Sequence, residues 1–85
     1  MSPSEALADI RGYAAANRVE LSEHAKVSMR KRRVRYRDIR NALTNAATCA
    51  DQGDGTLLAS GPDLEGDELT AVVAIEDGLL VVTVF

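Results

Sequence analysis

The stretch ELTAVVAIEDGLLVVTVF at residues 68–85 constrains the fold more than any other part of the sequence. It contains two runs rich in β-branched residues, and the dipeptide Asp77-Gly78 between them favours a two-residue hairpin turn. Both runs are too apolar for simple alternation, so we expect at least one strand to be central and covered on both faces. The stretch therefore predicts a small antiparallel sheet.

Two further strands are predicted upstream of this hairpin. Residues Thr48–Asp51 precede the turn sequence DQGDG, and residues Thr56–Ser60 follow it and end at Gly61-Pro62. The polar segment DLEGDE then leads to the hairpin as a loop. The predicted sheet thus has three to four strands.

The part of the chain before these strands is predicted to be mainly helical. The segment Ser2-Pro3-Ser4-Glu5 is typical of a helix start, where serine caps, and apolar residues at helical spacing continue from there until Asn17. Val19–Leu21 is either a short extended piece or a linker. Two more helices are expected, over about residues 22–33 and 36–46.

These elements predict an α+β fold with two to three N-terminal helices packed on the small antiparallel sheet. A length of 85 residues allows one domain, with a helical part at 4–46 and a β-meander at 48–85. No apolar run is long enough to span a bilayer, and the polar, acidic N-terminus is unlike a signal peptide. We therefore expect a soluble, cytoplasmic protein that does not engage a membrane.

Composition excludes several kinds of site. Cys49 is the only cysteine, which excludes a disulfide framework and a cysteine-based zinc site. We interpret it as a small, half-buried residue rather than a reactive thiol. With a single histidine, a metal site formed by protein side chains alone is disfavoured, and no cofactor is expected. With no tryptophan and three aromatic residues, the chain does not carry aromatic stacking platforms for single-stranded nucleic acid.

Charge is strongly segregated along a chain whose net charge is −3. Residues 22–40 hold eight of the ten lysines and arginines, against only Glu23 and Asp38. Residues 41–85 hold no lysine or arginine and eight acidic residues. Such a dipole can direct an anion to one face, and it can equally pair the basic face of one copy with the acidic face of another.

The basic segment also contains the only histidine. His24, Ser28 and Arg32 stand four residues apart, so a helix places them on one stripe beside the apolar residues Ala25 and Met29. Histidine exchanges a proton near neutral pH, and arginine binds phosphate through two parallel hydrogen bonds. Three interpretations compete: a catalytic site for a phosphate-containing substrate, a binding surface, and a solvated helix face with a structural histidine.

A resemblance adds to this interpretation. The pattern His24-Ala25-x3-Met29-x2-Arg32-x-Val34, the helix sequence RYRDIRNAL and the final LLVVTVF resemble a family of small bacterial and archaeal proteins of unknown function. That family has been grouped with RelE/ParE-like toxins and with the metal-independent ribonuclease fold shared by barnase, EndoU, colicin and RelE domains. The resemblance covers about residues 20–85 and implies a RelE-like fold.

The resemblance also implies roles for individual residues. His24 and Arg32 match the polar motif positions, Met29 and Val34 match packing positions, and Thr83 matches the threonine of the last strand. Three positions depart from the pattern: Arg33 stands where glycine is preferred, Arg35 where serine or threonine caps a helix, and Ser28 where arginine is common.

The implied function is a toxin-like, metal-independent endoribonuclease of a toxin–antitoxin or related system. His24 would be the acid or base, Arg32 would hold the scissile phosphate, and Tyr36 would be an accessory donor. The expected substrate-binding residues are Arg30, Arg33, Arg37 and Thr83. The alternative is a non-catalytic module on the same fold that binds nucleic acid or protein. The candidate partners are RNA, a cognate antitoxin or other protein, and a second copy of the chain.

Overall fold

The computed structural model describes residues 2–85. Its three helices are α1 (Pro3–Ala15), α2 (Glu23–Arg32) and α3 (Tyr36–Thr44). Its five strands are β1 (Val19–Leu21), β2 (Thr48–Asp51), β3 (Leu57–Pro62), β4 (Glu68–Glu76) and β5 (Gly78–Val84). The predicted α+β class is confirmed.

The sheet is mixed, with the strand order β1-β5-β4-β3-β2. Strands β2 to β5 form the predicted antiparallel meander, but β1 adds a fifth strand that runs parallel to β5, with Val19 opposite Leu79. The expectation of three to four antiparallel strands is therefore wrong in number and direction. A strand of three residues is too short to show periodicity, and its partner lies far away in the sequence.

The hairpin between β4 and β5 is tighter than the predicted two-residue turn. Glu76 pairs with Gly78, so that only Asp77 lies between the strands. Gly78 has a positive φ of 115°, and a Cβ there would lie 3.2 Å from the carbonyl oxygen of Arg18. The Arg18 side chain donates to both the carbonyl and the carboxylate of Asp77, at 3.1 and 2.7 Å. The turn is thus fixed against the segment that joins α1 to β1.

All three helices contribute to one hydrophobic cluster with one face of the sheet. The strand register places the buried strand residues of this cluster on one face of the sheet. They are Ala59, Leu69, Ala71, Val73, Leu79, Val81 and Val84. The opposite face carries Leu58, Val72 and Leu80 outside the cluster. The expected covering of a central strand on both faces is therefore wrong within residues 2–85, since the helices pack on a single face.

Glycine allows the closest approach between a helix and the sheet. A Cβ on Gly61 of β3 would lie 2.0 Å from the carbonyl oxygen of Ala42 in α3. No other residue type fits there without a shift of backbone. This contact sets the position of α3, and hence of the basic residues at its N-terminal end.

Two arginines join α1 and α3 in a reciprocal arrangement. Arg11 of α1 donates through Nε and Nη2 to the carbonyl of Ala46, just after α3, at 2.9 and 2.6 Å. Arg40 of α3 donates to the carbonyls of Ala14 and Ala15 at the end of α1, at 2.9 and 2.8 Å. Arg40 thus satisfies two carbonyls at the negative end of α1, and Arg11 satisfies one carbonyl just beyond the end of α3, so the two helices are joined at both places.

Candidate functional site

Helix α2 carries most of the predicted site, and both of its ends are well defined. The Ser22 hydroxyl accepts from the backbone N–H of Ala25, which caps the first turn. At the other end Arg33 adopts a left-handed conformation with φ 57° and ψ 38°. Val34 N–H then donates to the Met29 carbonyl at 2.9 Å, and the longer bond from Arg33 N–H to the Arg30 carbonyl completes a Schellman motif.

The left-handed Arg33 explains why the pattern prefers glycine at this position. A side chain other than glycine or asparagine is disfavoured there, because Cβ crowds the backbone. Met29 and Val34 occupy the two positions that usually carry the apolar pair of such a motif, and both pack against the hydrophobic cluster. The chain therefore keeps a cation in a strained conformation, directly beside an apolar contact.

Six cations around this helix end lack an acceptor among residues 2–85. We call them the basic surface, and they are Arg30, Lys31, Arg32, Arg33, Arg35 and Arg37. All six are exposed, and the ion pairs found within the described chain involve other residues, Arg18 with Asp77 and Lys26 with Glu23. Their charges are consequently available to a ligand.

Three adjoining grooves run along the basic surface. The first, the α2 groove, has a volume of about 480 Å³ and is lined by Lys26, Met29, Arg30, Arg33, Val34 and Arg35. The second, of about 360 Å³, shares Arg33 and Arg35 with it. The third, of about 470 Å³, shares Arg37 and the exposed Leu64 with the second. Together the grooves follow the basic surface from α2 to α3, and the second of them is also lined by Asp38 and Glu65.

His24 lies on the other flank of α2. Lys26, Arg30 and Arg33 recur at helical spacing and line the α2 groove. The stripe of His24, Ser28 and Arg32 lies about 170° around the helix axis from them, at 3.6 residues per turn. The structure therefore separates the predicted site into two halves, a groove half and a His24 half, with the helix between them.

Ser28 faces the sheet rather than solvent. Its hydroxyl lies 3.0 Å from the His24 carbonyl and 3.1 Å from that of Ala25. It lies 3.4 Å from the Thr83 hydroxyl and accepts from Val84 N–H at 3.3 Å. The edge of β5 beyond the short β1 is thus covered by α2, which gives Ser28 a structural role and brings Thr83 to the His24 half.

Other predicted residues have specific surroundings as well. The Tyr36 hydroxyl donates to Asn17 Oδ1 at 2.6 Å, so it ties α3 to the end of α1. His24 is exposed and its imidazole has no hydrogen-bond partner within residues 2–85. Arg32 is exposed on the same stripe, two turns along the helix.

The sequence interpretation missed part of the groove. It assigned Met29 and Val34 to packing, and it did not assign Leu64 any role, although all three line the grooves. For Met29 and Val34, the feature of the sequence that could have indicated the groove was Arg33, a residue other than glycine at the predicted end of the helix. The signal for Leu64 was a single apolar residue within a polar loop.

Two further observations concern residues outside the basic surface. Burial, and to a smaller extent Asp51, raise the pKa of the Cys49 thiol, which disfavours the reactive thiolate. Within residues 2–85 no three His, Cys, Asp or Glu side chains are grouped so that they could hold a metal ion. No helix in this part of the chain is long and apolar enough to cross a membrane.

Fold and site together define a small α+β domain whose helical side carries a concentrated basic surface. The chain belongs to the family described as Domain of unknown function (DUF4258), whose model matches residues 21–85. The match begins at the last residue of β1, after α1, and is consistent with the expected small domain of unknown function. No curated protein and no solved structure matches the chain significantly.

Proposed function

We propose that this domain is a toxin-like endoribonuclease that holds RNA on the basic surface and cleaves it at the His24 half of the site. The observation that carries the proposal is the set of six exposed cations with no acceptor in the described chain, around the end of the helix that carries the only histidine. Placing six like charges together is unfavourable unless a polyanion neutralises them. Five of the six are arginines, which suit the planar, bidentate recognition of phosphate.

The proposed reaction needs a proton acceptor, a proton donor and charge stabilisation. A base removes the proton of an RNA 2′-hydroxyl, and the resulting oxygen attacks the neighbouring phosphorus. The bond to the 5′-oxygen then breaks, and an acid protonates that oxygen. His24 serves as the base or the acid, and Arg32 stabilises the charge on the phosphate oxygens. Arginines, once placed, supply this stabilisation without a change of protonation.

Geometry along α2 supports the pairing of His24 with Arg32. The two Cα atoms are separated by about 12 Å of helix rise. Side chains on a helix lean toward its N-terminus, so Arg32 extends toward His24. Ser28 between them is turned to the sheet, which leaves the exposed His24 and Arg32 as the side chains of this stripe that can reach a substrate.

Substitution of His24 tests the proposal. In a His24→Ala protein we expect RNA cleavage under single-turnover conditions to fall by about 10²–10⁴-fold. Because His24 is exposed and unbonded, the variant should keep its circular dichroism spectrum and its affinity for RNA. Asp9→Ala, which removes an exposed charge of α1 outside the basic surface and the grooves, is the matched control and should cleave at a similar maximal rate. A folded His24→Ala protein that cleaves as fast as the parent contradicts the proposal.

A second candidate function is a non-catalytic binding module on the same fold. Specific observations favour it: the hydroxyls of Tyr36 and Ser28 are engaged by the protein itself, and nothing in residues 2–85 orients the imidazole of His24. A general acid or base usually needs such an orienting partner. Under this candidate the basic surface binds its partner and no bond is broken.

Salt dependence and cleavage together separate the two candidates. If the six cations contact phosphates of a single strand, log K should fall with log salt at a slope of about −4. Both candidates predict this slope for RNA, but only the ribonuclease predicts cleavage that disappears with His24. Absence of RNA binding at low salt contradicts both, and leaves protein partners of the basic surface.

A further inference from the structure

We infer that the α2 groove, defined above, is a subsite for one unpaired nucleobase of single-stranded RNA. This inference rests on the proposed function and adds the form of the substrate. The groove combines an apolar floor with a basic rim, and no acidic residue lines it. A nucleotide has the same two parts, a flat base and charged phosphates on either side of it.

The floor of the groove is made by Met29 and Val34, which stand on either side of the helix end. Both side chains are half-buried and pack on the core from one side, which leaves their outer surface in the groove. A volume of about 480 Å³ falls within the range typical of small-ligand sites. The methionine thioether is polarisable and adapts to the edge or face of an aromatic ring. The floor therefore offers a surface for a base even though the chain has no aromatic platform here.

Three arginines complete the rim of the groove, and each is free of acceptors in the described chain. Arginine is suited to this setting because its planar group stacks on a base and also binds phosphate. Arg33 stands beside the floor in its left-handed conformation, where glycine would be less strained. An arginine in this position places a charge where a flanking phosphate would lie.

The backbone around the groove favours a nucleotide over an acidic peptide. An extended peptide that binds by pairing its backbone with the protein gains affinity through main-chain hydrogen bonds. The N–H groups of Arg33 and Val34 are used by the Schellman motif, and that of Arg35 donates to Asp38 Oδ2 at 3.2 Å. Side chains are the groups left for recognition, and a base with its phosphates needs no others.

The inference predicts a preference that simple electrostatics would reverse. A duplex has the higher charge density, so charge alone favours duplex RNA over a single strand. A base can enter the groove only when it is unstacked and unpaired. We therefore expect single-stranded RNA to bind more tightly than a duplex of the same sequence.

The experiment compares three probes of about ten nucleotides, a length within the usual range of single-strand sites. They are a single strand, the same strand with every base removed, and a duplex, all with 2′-O-methyl groups that block cleavage. Anisotropy at low salt should show the single strand binding about 5- to 10-fold more tightly than either of the others. Equal binding of the three probes, or tightest binding of the duplex, overturns the inference and leaves the proposed RNA binding standing.

Variants that keep charge isolate the role of the groove. The double variant Arg30→Lys/Arg35→Lys keeps both charges and removes two planar groups from exposed, unbonded positions. We expect it to lose the preference for the base-carrying strand and to bind the abasic strand as the parent does. Arg18→Lys, at an exposed arginine outside the basic surface, is the matched control and should keep the preference. An unchanged preference in the double variant contradicts the inference.

Failure of the proposed function gives a different result from failure of the inference. If no RNA probe binds at low salt, the proposed function fails together with its subsite. If a glutamate-rich peptide containing leucine binds more tightly than the single strand, the groove is a peptide site and the inference is overturned. Loss of cleavage in His24→Ala bears on the chemistry alone, because His24 lies on the opposite flank of α2.

Discussion

A single substitution at the left-handed residue at the end of α2 should increase the stability of the fold and decrease its affinity for RNA. Arg33 has φ 57° and lies at the position where a Schellman motif favours glycine. We predict that Arg33→Gly raises the free energy of unfolding while it weakens RNA binding. A functional cation retained at a conformational cost is expected to behave in this way.

The size of the stability effect follows from two opposing contributions. The left-handed conformation costs a residue with a Cβ about 1–2 kcal/mol. Glycine also gives the unfolded chain more freedom, which offsets about 0.4–1 kcal/mol of this gain. The net increase is about 0.5–1 kcal/mol, which corresponds to a rise in Tm of about 2–8 °C in a domain of this length.

Arg33→Ala is the control, because it removes the same charge and keeps a Cβ. We expect its stability to lie within about 0.5 kcal/mol of the parent, and Arg33→Asn to fall between alanine and glycine. Urea unfolding followed by circular dichroism gives the free energies, and anisotropy with single-stranded RNA gives the affinities. The reasoning is refuted if the glycine variant is no more stable than the alanine variant. It is also refuted if the two differ in stability while both bind RNA as the parent does.

Three further predictions concern contacts that position the site. Gly61→Ala should destabilise the fold by about 3 kcal/mol or more, measured by urea unfolding, because the new Cβ meets the Ala42 carbonyl at 2.0 Å. Ser28→Ala should cost about 1–2 kcal/mol in the same assay, since it leaves an N–H at the sheet edge without its partner. Thr56→Val should raise the pKa of Asp54 toward its ordinary value in an NMR titration, because the hydrogen bond from the Thr56 side chain is the main cause of its lowered pKa. In the parent, the stabilisation linked to Asp54 is therefore present above its unfolded-state pKa and is lost as pH falls through the folded value.

Each of these predictions has a clear control or contrary result. Gly12→Ala is the counterpart of the β3 substitution, since its Cβ meets nothing within 4 Å and a helix interior favours alanine by about 1 kcal/mol. If both glycine variants change stability alike, the close approach of α3 to the sheet is wrong. A Ser28→Ala protein as stable as the parent would mean that water replaces the hydroxyl at the edge of β5. An unmoved Asp54 titration in Thr56→Val would contradict the assigned cause of the pKa shift.

The helix ends show how much of the site could be predicted from residues that are close together in the sequence. The start of α1 within the segment Ser2-Pro3-Ser4-Glu5 and the extent of α2 to about residue 33 were visible in the sequence, because helix ends depend on residues within one turn of each other. The concentration of cations around α2 was equally visible. What could not be foreseen was which cations would be used by the protein, because Arg11 and Arg40 find their acceptors on a different helix.

The division of the predicted site into two halves also came from tertiary structure. Helical spacing placed His24, Ser28 and Arg32 on one stripe, and that spacing was correct. Only the packing of α2 beside β5 decided that Ser28 would face the sheet and that the groove would form on the opposite flank. A helix has the same stripes of residues whichever side packs on the sheet. The sequence pattern alone therefore does not predict which side of α2 is available to a ligand.

Local patterns were thus sufficient to predict the α+β class, the three helices, the hairpin of β4 and β5 and the segregation of charge. These features depend on turn chemistry, periodicity and composition, which act over short stretches of chain. Long-range packing was needed to establish the parallel pairing of β1 with β5, the side of the sheet on which the helices lie and the groove that brings Met29 and Val34 together with three arginines. Each of these depends on where distant segments meet, and that is settled by the packing of the whole core rather than by any local pattern.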